Sequence, residues 1–253
     1  MSIIFNGRAD AGATKTSYQW QEEARSDSIT IIQCPDGFGE MFRFSSKPTD
    51  GYVNGDFRAE LSTHIATPLS EEWYAFELYI PSSGIPQYMP RGIVAQWHSV
   101  DSGPEAYGRQ PPVDFDLRLR DHLRCSVRWD ANATSIASPD SVTTEELMKY
   151  PAHQLFDRRV PVVVRCKWDW GATGLFEVWM DHYPVISRVG PLSFNDAQGP
   201  YIKIGIAHCL HGVTSEEIVI MNSGAKIGDA NSSYYEMTGR YPYPRVAQQG
   251  ALA

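Results

Sequence analysis

The sequence predicts an all-β protein, two antiparallel sheets packed as a sandwich. Three observations carry this. Short runs rich in β-branched and aromatic residues recur along the chain, each closed by Gly, Pro, Asn or Asp. Many of these runs alternate apolar and polar residues at period two. Only one stretch in 253 residues reads as a helix. Domains of this length commonly enclose one core, so a single domain over residues 1–253 is expected, with an extended tail from about 242.

The strand segments, in order, are SITIIQC, MFRFSS, FRAELSTHI, WYAFELYIP, IVAQWHS, VDFDLRLR, LRCSVRW, VPVVVRCKWDW, LFEVWMD, YIKIGIA and EEIVIMN. The helix is expected at TTEELMKY, where Thr143 and Glu146 have capping-box spacing. It falls in an insertion at about residues 130–158, which fits either a wall over a site or an inert excursion. Proline in YPYPRVAQQGALA argues against a paired strand at the end.

Composition narrows the function. A net charge of −8 excludes the broad basic field of a nucleic-acid binder, yet a local cationic cluster could still hold a polyanion. No segment is long and apolar enough for a membrane-spanning helix. The opening MSIIFNGRADAG lacks a basic stretch followed by an apolar one, as an export leader would show. Cys34, Cys125, Cys166 and Cys209 lack metal-site spacing, and Cys125 and Cys166 fall on apolar strand faces as buried thiols would. A disulfide stays open. Asn132-Ala133-Thr134 and Asn231-Ser232-Ser233 match the glycosylation sequon, which matters only for a secreted eukaryotic chain.

The polar strand faces are chemically rich. In FRAELSTHI, the residues Phe57, Ala59, Leu61 and Ile65 point one way, and Arg58, Glu60, Ser62 and His64 the other. IVAQWH sets Ile93, Ala95 and Trp97 against Val94, Gln96 and His98. VDFDLRLR sets Val113, Phe115, Leu117 and Leu119 against Asp114, Asp116, Arg118 and Arg120. YIKIGIAH places Tyr201, Lys203 and Gly205 opposite Ile202, Ile204 and Ile206. Each of these faces could be a plain solvated surface. If the strands are neighbours, however, they gather Arg58, Glu60, His64, Gln96, His98, Tyr201 and Lys203 on one surface, which a curved sheet would make a groove.

RAEL, QWH and YIKIG, in this order, resemble the Arg-x-Glu-Leu, Gln-x-His and Tyr-x-Lys-x-Gly motifs of β-jelly-roll polysaccharide lyases. That group includes alginate, glucuronan and heparin lyase I-like enzymes, and WYAFELYIP and LFEVWMDHYPVI resemble the glucuronan and heparin lyase branch. Ala207 and His208 depart from the pattern, since many relatives carry a further Tyr there. The resemblance implies a β-jelly-roll fold, an acidic polysaccharide as partner and a secreted, monomeric enzyme. It implies no redox cofactor and no catalytic metal, and a structural Ca²⁺ at most.

It also implies β-elimination: loss of the C5 proton of a uronate and expulsion of the oxygen at C4. The neighbouring carboxylate must then be neutralised, for which Arg58, Gln96 and His98 are suited. Tyr201 is the expected base and acid, with its phenol made more acidic by Lys203 and Arg58. For the C5 epimer, His98 or His64 is the expected base. Glu60, His64, Arg118, Arg120 and His208 are expected to bind substrate. Two alternatives remain at this level. Asp114 and Asp116, two apart on one face, would suit a glycoside hydrolase, and a non-catalytic carbohydrate-binding module would use Tyr201 only for stacking.

Overall fold

The computed structural model describes residues 2–86, 91–100, 110–118, 120–132, 142–209 and 216–244. Leu119, the sequon residue Thr134 and the tail from residue 245 lie outside the described residues. Among the described residues seventeen strands run in chain order. The first six are β1 (Ile3–Asn6), β2 (Trp20–Glu23), β3 (Ile29–Gln33), β4 (Glu40–Ser46), β5 (Ala59–Ile65) and β6 (Glu71–Tyr79). Next come β7 (Gly92–His98), β8 (Val113–Arg118), β9 (His122–Asp130), β10 (Thr143–Pro151), β11 (Arg159–Lys167) and β12 (Leu175–Met180). The last are β13 (Tyr183–Val189), β14 (Ser193–Phe194), β15 (Tyr201–Ala207), β16 (Ile218–Asn222) and β17 (Lys226–Asp229).

They form two sheets. One has nine strands in the order β13-β12-β11-β6-β16-β4-β3, with β17 joined to β6 and β1 to β17. The other has eight, in the order β10-β9-β8-β7-β15-β5-β2, with β14 on β9. Apart from the β14–β9 contact, every strand pair in both sheets is antiparallel. All eleven segments expected to be strands are strands.

Alternation builds the shared core. Phe42, Phe44, Tyr74, Phe76, Val162, Val164 and Phe176 meet Leu61, Trp97, Phe115, Ile202, Ile204 and Ile206 from the facing sheet. Residues of opposite parity on the eight-stranded sheet therefore turn away from apolar packing, and these carry the site. The nine-stranded sheet is apolar on both faces at β6 and β11, because a short helix, α1 (Tyr234–Thr238), lays Tyr234 and Met237 over Trp73, Ala75 and Val163. All four cysteines are buried and unbridged.

The helix expected at Thr143 is not one. Residues Thr143–Pro151 form β10 and pair with β9 from Trp129 to His122. The capping-box spacing is local and weak, whereas β9 would otherwise present an open edge of unpaired backbone groups. A bulge between Glu146 and Met148 lets Leu147 pack on the core while Met148 stays buried.

Two further bulges change which residues face outward. Between Tyr201 and Ile202 the register with β5 slips, so that Tyr201 opposes Ile65 and Ile202 opposes Thr63. His64 is the extra residue, with φ of 53°. On β7 the register with β8 slips between Ile93 and Ala95, and Val94, not Ile93, packs in the main core.

Candidate active site

One row of directly opposed residues crosses seven strands: Trp20, Ser62, Lys203, Gln96, Asp114, Ser126 and Glu146. Beside it, Tyr201 opposes His98, and Glu22 opposes Glu60. Same-face side chains on paired strands are close neighbours, so this register alone brings RAEL, QWH and YIKIG together.

The side chains interlock. Glu60 accepts from Gln96 Nε2 at 2.6 Å through Oε1, and from Arg58 Nη1 at 3.3 Å through Oε2. Glu22 Oε2 accepts from Arg58 Nη1 at 2.9 Å and from Lys203 Nζ at 2.7 Å. Lys203 Nζ also lies 3.6 Å from Glu60 Oε2. Lys203, Gln96 and Glu60 are buried, at 1–2% exposure, so each charge depends on its partners.

The electrostatics favour the charged forms of Glu22, Lys203 and Arg58. Burial pushes the Glu22 carboxyl up, but Lys203 and Arg58 outweigh it and hold the group below its ordinary range. Burial likewise works against charge on Lys203, and Glu60, Tyr201 and Glu22 reverse it, raising the amine. Arg58 is raised for the same reason, with Glu60 and Glu22 overcoming desolvation. Two cations and two carboxylates thus meet with no net charge.

Tyr201 sits between two rings. Trp20 meets it edge-on with centroids 5.4 Å apart, and the His98 ring is 5.8 Å away. Lys203 Nζ lies 5.7 Å from its centroid. His98 Nδ1 is 2.9 Å from the carbonyl oxygen of Ser99. A carbonyl can only accept, so Nδ1 carries the hydrogen, and neutral His98 holds its lone pair on Nε2.

Arg58, Glu60, Gln96, His98, Tyr201 and Lys203 therefore gather as expected. Three other expected site residues do not. His64 is turned by the bulge onto Glu72 of the opposite sheet, with Nε2 3.1 Å from Oε1, and Glu72 also accepts from the buried Tyr74 hydroxyl. A one-residue slip reverses faces, and this one moves Ile65 into the position beside Tyr201. Arg120 lies past the end of β8, donating to the Ile85 carbonyl at 2.9 Å and resting over Phe156. His208 follows β15 at the end away from Tyr201 and pairs with Asp56. Arg118 shares the site's face but is clamped on Asp116.

Two residues of the cluster, Glu22 and Trp20, escape sequence reasoning. WQEE puts both on one face of β2, but neither face is aliphatic, so no apolar alternation marks it as a strand. Asp114 and Asp116, the carboxylates of the hydrolase alternative, are wholly buried and held by arginines. Among the described residues no group of three or more His, Cys, Asp or Glu is disposed to hold a metal ion. A cavity of about 1090 Å³ lies elsewhere, against the outer face of β6 and β11, where Arg8, Glu77, Arg159 and Asp36 are paired with one another.

Comparison with solved structures finds the same fold. An endo-β-1,4-glucuronan lyase from the fungus Trichoderma reesei superposes with a TM-score of 0.67 at 14% identity, covering 87% of this chain and 93% of that one. Alginate lyase PA1167 from Pseudomonas aeruginosa gives 0.55 at 17% identity, covering 81% and 87%. Alginate lyase AlgAT5, of polysaccharide lyase family 7, gives 0.55 at 13%, covering 81% and 84%. No curated protein matches by sequence. The family model described as polysaccharide lyase matches residues 11–222, spanning β2 to β16 and with them every residue of the cluster. The chain belongs to the polysaccharide lyase family.

Proposed function

We propose that this polysaccharide lyase cleaves a uronate polymer by β-elimination, glucuronan or another glucuronate polymer first and alginate second, leaving an unsaturated uronate at the new end. The observation that carries the reading is the Tyr201–His98 pair set against the Arg58, Lys203 and Gln96 cluster. The closer superposition on the glucuronan lyase, 0.67 against 0.55, supports the order of substrates.

In this reading the sugar carboxylate enters beside Gln96 and Arg58. Gln96 Nε2 has a second hydrogen beyond the one given to Glu60, and Arg58 Nε is buried without a hydrogen-bond partner. These donors stabilise charge that develops on the carboxylate as the C5 proton leaves. The lone pair on His98 Nε2 accepts the phenolic proton of Tyr201. The phenolate then removes the C5 hydrogen, the electron pair forms the C4–C5 double bond, and the same proton passes to the departing O4. In β-linked glucuronate both events occur on one side of the ring, within reach of a single phenol. Lys203 Nζ, 5.7 Å from the Tyr201 ring centroid, and the protonated His98 face the phenolate with positive charge.

Purified protein offered a panel of uronate polymers should generate the ultraviolet absorbance of a conjugated uronate. Tyr201→Phe should lower that rate by about 10² or more while polymer binding persists. Reducing ends without absorbance would mean hydrolysis, and binding without either would mean a non-catalytic module.

A further inference from the structure

Beyond the cluster, the same face carries a second group of charges on β8 and β9. Asp114 and Asp116 are wholly buried. Arg118 grips Asp116 with both Nε and Nη2, at 2.8 and 3.0 Å. Arg124 Nη2 reaches the same carboxylate at 2.7 Å, and Arg91 Nε at 3.2 Å. Arg128 is committed to Asp114 at 2.8 Å and to the Pro111 carbonyl.

Four guanidinium groups, with Lys149, stand against Asp114, Asp116 and Glu146, which lies 3.7 Å from Arg124 Nη1 and 3.3 Å from Lys149 Nζ, and this leaves two positive charges in excess in a chain whose net charge is −8. Three of them converge on one carboxylate, which has too few lone pairs for their fifteen N–H groups. Arg124 Nε is buried with no hydrogen-bond partner. Burial lowers the pKa of Arg91, Asp116 and Asp114 only partly offset this, and Arg118 and Arg124 lower it further, so an added anion would relieve the crowding. Arg91, Arg118 and Arg124 are each 20–29% exposed in their side chains, so a ligand can reach them, whereas Arg128 at 5% is structural.

Position gives the ligand. Asp114 opposes Gln96, and Asp116 lies two residues further along β8. With strands ~4.8 Å apart and ~3.3 Å per residue, the cluster lies roughly 15–20 Å from Tyr201, several sugar rings away along one face. We infer that Arg91, Arg118 and Arg124 form a distal subsite that binds the carboxylate of a uronate residue in the same polymer chain, remote from the bond being cleaved. This rests on the proposed uronate lyase reading. Planar guanidinium forks suit a carboxylate.

The test compares Arg118→Gln with wild type on long glucuronate polymer and on the shortest oligomer that is cleaved. Asp116 keeps Arg124 and Arg91, so the fold should survive, and thermal melting checks this. A loss of about tenfold in kcat/KM on polymer, corresponding to ~1.4 kcal/mol, with the short oligomer unaffected, is expected. Equal losses on both, or no loss on polymer, would overturn the subsite. Should Arg118→Gln melt early, Arg91→Gln gives the same comparison with the bidentate Arg118–Asp116 pair intact. A binding arm needs no turnover: in a Tyr201→Phe background, Arg118→Gln should weaken glucuronate polymer and leave its carboxyl-reduced, neutral form unchanged. Wild-type failure to produce unsaturated ends sinks the lyase chemistry, and unchanged polymer binding sinks the subsite.

Discussion

Replacing Glu22 by Gln removes one carboxylate from beneath two cations without changing the size of the side chain. Glu22 Oε2 is shared by Arg58 and Lys203, and the alternative partner for Lys203 is Glu60 at 3.6 Å. Removing one member of a buried ion pair costs about 3–5 kcal/mol. Glu22 keeps 16% of its side chain exposed, so about 3 kcal/mol, the lower end of that range, is expected near neutral pH. The pH dependence follows from the directions of the shifts. Glu22 is held below its ordinary 4.5, so its contribution is complete above that value and fades as pH falls through the depressed folded value. Lys203 is raised above its ordinary 10.5, so its contribution holds below that value and fades at higher pH. Urea denaturation of wild type and Glu22→Gln across pH 3 to 8 reads the difference, which should be flat between about 5 and 8 and shrink below about 4. A neutral-pH difference under ~1 kcal/mol, or one unchanged in acid, would refute the shared-carboxylate account.

Trp20→Ala removes a ring that is 39% exposed and edge-on to Tyr201, so melting should change little while KM for polymer rises about tenfold at nearly constant kcat. Equal loss of kcat would mean that Trp20 instead positions Tyr201. Gly205→Ala should cost about 3 kcal/mol or more by denaturant titration, because φ is +136° and the added Cβ would stand 2.2 Å from the Ala59 carbonyl oxygen. Wild-type stability for that variant would show that β15 can relax away from β5.

Much of this architecture is legible in the sequence because period-two alternation is a direct readout of a sheet with one buried face. YIKIGI places Ile202, Ile204 and Ile206 in the core and Lys203 opposite, as the pattern requires. What the pattern cannot locate is a bulge. His64 and Ile65 exchange faces because one residue is unpaired in the ladder with β15, and nothing in LSTHIAT announces it. Val94 and Ile93 exchange for the same reason. Edge strands are the other blind spot. Neither β2 nor β10 carries a clean apolar stripe, and each is fixed by the backbone groups of its neighbour.

The distribution of charge along the face bears on how such a site could favour reaction over mere binding. Glu22 and Glu60 cancel Arg58 and Lys203, so the reacting centre is electroneutral before any sugar arrives. A bare cationic pocket would hold the ground-state carboxylate tightly and gain little in rate, because only interactions that strengthen in the transition state accelerate chemistry. In the proposed reaction the incoming carboxylate takes the second hydrogen of Gln96 Nε2 and Arg58 Nε, on side chains already bonded to Glu60 and Glu22. As the C5 proton leaves, charge on the substrate grows while that on Glu22 and Glu60 does not, and the shared donors shift toward the sugar. The uncancelled positive charge lies instead around β8 and β9, where Arg118 and Arg124, with Arg91 just before β7, outnumber Asp116 and Glu146. In the proposed reading, attraction for a polyanion is placed at a distance from the bond that breaks, and remote binding energy holds the chain in register over Tyr201.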